Sequence, residues 1–117
     1  MGEIGFDREP SPRGELDEFC LRNWQKLPAD KREACLAVLR EKTPADMLAN
    51  WRAQYAAGFS IGSDDAFFHM GVGMQVRNAL RAVLKDDELP EVAYPDGERH
   101  RNWDDFYFGA LQELASQ

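Results

Sequence analysis

Three adjacent carboxylate pairs, one histidine set among glycines and two cysteines are the side chains in this chain whose types could support chemistry. The segment His69-Met70-Gly71-Val72-Gly73-Met74-Gln75-Val76-Arg77-Asn78 is the most unusual of these. At helical spacing His69, Gly73 and Arg77 fall on successive turns of one face. A polar group buried there needs a hydrogen-bonding partner. For Arg77 the natural partner is a carboxylate, and Asp104-Asp105 on the last helix supplies two. Two readings follow. In the first, His69, Arg77, Asp104 and Asp105 form a polar clasp that docks the last helix, with Asn78 pointing away to cap the loop over 86–101. In the second they line a small pocket that binds a ligand or does acid–base work.

Other chemistries find no support. The glycines follow no strand, no third Gly completes a dinucleotide fingerprint, and no Gly-Lys-Ser/Thr follows, so a phosphate loop is not expected. Cys20, Cys35, His69 and His100 lack zinc-ligand spacing; no metal and no cofactor is assigned. The cysteines read as buried free thiols. Ser11, Ser60, Ser63 and Ser116 sit in no nucleophile elbow. Neighbouring carboxylates on a helix point about 100° apart. Asp64-Asp65, Asp86-Asp87 and Asp104-Asp105 therefore suit the positive ends of helices better than paired acid–base work. No catalytic residue is assigned.

The charge is lopsided. The formal net charge is −7, and residues 86–117 alone hold nine acids against two bases. Nucleic-acid binding rests on Lys and Arg displacing counterions, and no basic stripe is present, so direct binding is not expected. The acidic stretch Asp86, Asp87, Glu88, Glu91, Asp96 and Glu98, with Tyr94 as an aromatic anchor, suits a basic protein surface instead. The leading functional expectation is a small acidic protein-binding module of inhibitor or immunity type. It would be phage-encoded and would dock on a nucleic-acid-handling partner. A small-molecule binder or enzyme using His69, Arg77, Asp104 and Asp105 is the second reading. A structural homo-oligomer, a homodimer in the simplest case, is the third. No run of ~18 apolar residues suggests a bilayer span, and the opening residues lack a secretion signal, so a cytoplasmic location is expected.

The elements that must position these residues are helical, and the reading is one all-α bundle. Residues 1–14, with Pro10 and Pro12, read as a flexible tail and 15–117 as a single domain. The first helix, over 15–26, carries Leu16, Phe19, Cys20 and Trp24 on one stripe, with Leu27 just beyond. The second opens at Asp30, with Glu33 completing a capping box. Thr43 and Pro44 start the third, whose face is Met47, Leu48, Trp51 and Tyr55, and Gly58 ends it. The fourth, over 64–85, is the longest and is expected to be central, with Val72, Val76, Leu80 and Val83 aligned. Its two glycines each cost about 1 kcal/mol against Ala, which suggests that another helix approaches them closely. Residues 86–101 read as irregular, with a turn at Tyr94-Pro95-Asp96-Gly97. The last helix begins near Asn102 and buries Trp103, Phe106, Tyr107, Ala110, Leu111 and Leu114. Phe108 falls off that stripe and is free to meet a partner.

The segment over 69–78 resembles an uncharacterised bacterial and phage-associated domain family with a His-apolar-Gly-apolar-Gly-apolar-x-apolar-Arg-Asn motif. In that family an Asp-Asp pair opens a C-terminal helix. The matching residues are His69, Gly71, Gly73, Arg77 and Asn78, then Asp104 and Asp105, and the resemblance covers residues 63–115. After Asn78 the family has aromatics where this chain has Ala79-Leu80-Arg81. The resemblance implies a shared core and no particular reaction.

Overall fold

The computed structural model describes residues 11–62 and 71–117, and its elements are almost all helical. In chain order they are α1 (Glu15–Gln25), α2 (Ala29–Lys42), α3 (Ala45–Ala56), α4 (Gly73–Arg81) and α5 (Tyr107–Ser116). A two-residue antiparallel ribbon, β1 (Val92–Ala93) with β2 (Arg99–His100), lies between α4 and α5, pairing Val92 with His100 and Ala93 with Arg99. Single 3₁₀ turns at Asp86–Glu88 and Trp103–Asp105 flank it. The all-α bundle is as the sequence indicates. The stretch over 86–101, read as irregular, contains this ribbon, and α5 proper starts at Tyr107 rather than near Asn102.

Prolines, not side-chain caps, open two helices. Asp30 and Glu33 form no capping box; α2 begins at Ala29 on Pro28, with no side-chain cap. Thr43 closes α2, its N–H donating to Leu39 O, and Pro44 then leads into α3. The fixed φ of proline already suits helix entry, and its missing N–H would be unpaired there in any case. Gly58 ends α3 at φ 90°, as expected of a left-handed terminator. Residues 11–14 do not hang free. Ser60 N–H donates to Ser11 O and Arg13 N–H to Gly58 O. The Arg13 guanidinium lies 4.1 Å over the Tyr55 ring and donates to Tyr55 O at 2.6 Å.

The helix enclosed on all sides is α5, packed against α1, α2, α3 and α4. Eight of its residues are buried: Tyr107, Phe108, Gly109, Ala110, Leu111, Gln112, Leu114 and Ala115. Phe108 is therefore a core residue, stacked on Tyr107 at 4.6 Å, and is not available to a partner. Close approach occurs at Gly109. A Cβ there would lie 2.5 Å from Cys20 O and from Trp24 Cβ, whereas a Cβ on Gly71 would meet open space. Glycine thus lets the α5 backbone rest on α1. The two buried indoles are satisfied, as buried Trp N–H groups require. Trp24 Nε1 donates to Glu113 at 2.6 Å and Trp103 Nε1 to Leu84 O at 2.8 Å. Leu16, placed on the α1 stripe by spacing, is 61% exposed; buried Asp17 takes the inward position beside it.

Candidate functional site

The acidic loop is organised by its own carboxylates. Asp86 joins three elements: it accepts from Arg81 Nε at 2.7 Å and from Trp103 N–H at 3.1 Å. Burial pushes its pKa up, but these hydrogen bonds and the Arg81 charge outweigh it and hold the carboxyl below its ordinary value. Glu88 accepts the Lys85 N–H at 2.8 Å and so closes the 3₁₀ turn. The ribbon turns where the sequence signals it. Gly97 takes φ 90° and its N–H reaches Tyr94 O at 2.9 Å, while Asp96 accepts the Glu98 N–H. Glu91 and Arg99 pair at 3.1 Å along the ribbon.

Tyr94 is half-buried and folded back onto the core. Its ring meets Phe19 edge-on at 6.1 Å and His100 at 4.4 Å, and its hydroxyl donates to the Asp105 carboxylate. That hydrogen bond, with burial and the Asp105 charge behind it, pushes the phenol up to about 12. Asp105 is 5% exposed. Its second carboxylate oxygen and the side-chain oxygen of Asn102 are buried and accept no hydrogen bond among the described residues. Asp104 faces the other way. Its carboxylate meets Arg77 Nε at 3.2 Å, and the Arg77 guanidinium lies 5.2 Å from the Tyr107 ring centre. The two adjacent aspartates thus serve different partners, as their angular separation requires. Asn78 does not reach the 86–101 loop; its side-chain oxygen accepts from Arg81 at 3.0 Å. His69 lies outside the described residues.

The fold favours the protonated form of both cysteines. Burial, then the charges of Asp105 and Asp17, raise the Cys20 thiol to about 12. Burial raises Cys35 to about 11. Both are buried free thiols. Among the described residues no cluster of three or more His, Cys, Asp or Glu could hold a metal ion. None of their helices is long and apolar enough to cross a membrane.

Buried polar residues outside the expected set carry much of the architecture. Asp17 accepts from Gly14 N–H at 3.1 Å and Ser60 Oγ at 2.9 Å. Its backbone carbonyl accepts from Gln112 Nε2 at 2.8 Å. Asn23 donates to Asp105 O at 3.1 Å, and Gln54 accepts the Gly62 N–H at 2.9 Å. The Gly14-x-x-Asp17 spacing, with an acid at the third helical position, was the readable signal for the first of these. The Asn23 and Gln112 contacts depend on segments far apart in the chain.

No family model and no solved structure matches the chain. Over 114 residues it is 27% identical to the DNA-directed RNA polymerase subunit beta′ of Methylacidiphilum infernorum (isolate V4). The alignment takes in 97% of this chain and 8% of that subunit.

Proposed function

We propose that this chain is a small protein-binding module of inhibitor or immunity type that places its acidic loop on a basic surface of a nucleic-acid-handling partner. One observation carries the reading. Asp87, Glu88, Asp96 and Glu98 are exposed in the 86–98 loop and enter none of the ion pairs formed among the described residues. The surface is narrower than the acid count suggests, because Arg81, Arg77 and Arg99 neutralise Asp86, Asp104 and Glu91. Tyr94 holds the ribbon in place from beneath and is not the contact itself.

Asp87 and Glu98 are the residues to reverse, since the carboxylate of neither takes part in the hydrogen bonds that fold the loop. The chain is immobilised in host lysate, the retained protein is identified, and its affinity is measured at low and high salt. The reading expects binding that weakens steeply as salt rises and is lost in the Asp87→Lys/Glu98→Lys variant, whose melting temperature stays that of the parent. Salt-independent binding, or binding that survives the double reversal, would overturn it.

A further inference from the structure

An apolar cavity of about 250 Å³ opens between the end of α2, the start of α3 and α4. Leu39, Met47, Trp51, Val72, Val76 and Ala79 form its apolar walls. Its polar lining is limited to Lys42, Thr43 and Gln75, beside Pro44. That combination, mostly apolar walls with a few polar groups, is the usual form of a small-molecule site.

The charge of the lining selects the ligand class. Among the described residues no acid lines the cavity, so the described lining carries a formal charge of +1 in a chain of net charge −7. Arg40, Arg77 and Arg81 are paired elsewhere, with Glu33, Asp104 and Asp86. Lys42 is exposed and enters no ion pair or side-chain hydrogen bond among the described residues. The start of α3, next to the lining residues Thr43 and Pro44, lacks a side-chain cap and adds partial positive charge. Asp46, the one acid in that first turn, is exposed, accepts the Met47 N–H and does not line the cavity.

We propose that this cavity binds a small apolar carboxylic acid, with the tail against Leu39, Met47, Val76 and Ala79 and the carboxylate at Lys42 and Thr43. The size suits an acid of about ten heavy atoms, given that a cavity of ~150 Å³ already admits benzene. This site is separate from the acidic loop and does not depend on the function proposed for it.

Octanoate is the probe, below its micellar concentration, with octanol and octylamine as neutral and cationic counterparts. The chain is labelled at its methionine methyl groups. Met47 lines the cavity, and Met74, which is 50% exposed and does not line it, reports unspecific contact. The expected result is a saturable shift of the Met47 signal with octanoate while Met74 stays still, weaker binding of octanol, and weaker binding still of octylamine. Lys42→Gln should weaken octanoate roughly three- to fivefold, the range of an exposed ion pair, and leave octanol unchanged. Ala79→Leu, which fills the cavity, should abolish the Met47 shift in a chain whose melting shows it folded. Octylamine binding as well as octanoate would overturn the assignment of a carboxylate. So would an unchanged octanoate affinity in Lys42→Gln, and absence of a saturable shift would refute the site itself.

Discussion

At the scale of single residues, the Tyr94–Asp105 contact is the most consequential. A buried carboxylate with one satisfied oxygen tolerates little further loss. Tyr94→Phe removes its only described side-chain donor and is expected to cost about 1–3 kcal/mol in urea unfolding, the range for orphaning a buried polar group. The same contact sets a pH dependence. The phenol ionises at about 12 in the folded chain against an ordinary value of 10.0. A group whose pKa is raised by folding stabilises the fold fully below its unfolded value, and that contribution drains away as pH climbs through the folded one. Stability should therefore fall between pH 10 and about 12 on account of Tyr94, and absorbance titration should find its phenol, and that of buried Tyr107, ionising late. Tyr94→Phe should shrink this dependence without abolishing it, because Cys20, Cys35 and Tyr107 are also raised by the fold; an unchanged dependence would rule Tyr94 out as a source. Asp86 acts with the opposite sign: its contribution is present above the ordinary carboxylate range and is lost on acidification.

At the scale of elements, the contact of α1 with α5 decides how the bundle closes. Gly109→Ala would place a methyl group 2.5 Å from the Cys20 carbonyl and from Trp24 Cβ, both on α1. Backbone cannot rotate away as a flexible side chain can. The helices must separate, at a cost of about 1–3 kcal/mol or more, read as a lowered urea midpoint with unchanged slope. Gly71→Ala makes the contrasting control, since that position opens on free space and a small gain in stability is expected. The sequence pointed to the 71–73 glycines because two glycines in a helical pattern are conspicuous. The single Gly109 is not, although α1 lies directly against it. Helix periodicity was likewise readable for Cys20, Trp24, Leu111 and Leu114. It placed Leu16 inward because a stripe pattern cannot show that Asp17 would find Gly14 and Ser60 as partners.

At the scale of the whole molecule, stability should be graded from α5 outward. Hydrogen exchange is expected to be slowest at Leu111 and Leu114, both fully buried, and to need global unfolding there. The outward side of α3, around Asn50, Arg52 and Ala53, should exchange through local opening at much lower free energy. Equal protection across these helices would argue against α5 as the enclosed element. The net charge of −7 is partly discharged within the fold, since four of the nine acids in 86–117 meet arginines: Asp86, Glu91, Asp104 and Glu113. This leaves a smaller external field than composition implies.

The all-helical class, the helix count, the Gly58 and Gly97 turns and the acidic character of the last third were all present in the residue order. Each arises from local backbone preference or from composition, which neighbours in sequence are enough to set. Which helix is enclosed, which of two adjacent aspartates meets Arg77, and which acids stay facing water were settled only on folding. Those outcomes depend on distances between segments up to 95 residues apart, such as Gln112 and Asp17, and no local pattern encodes a distance of that kind.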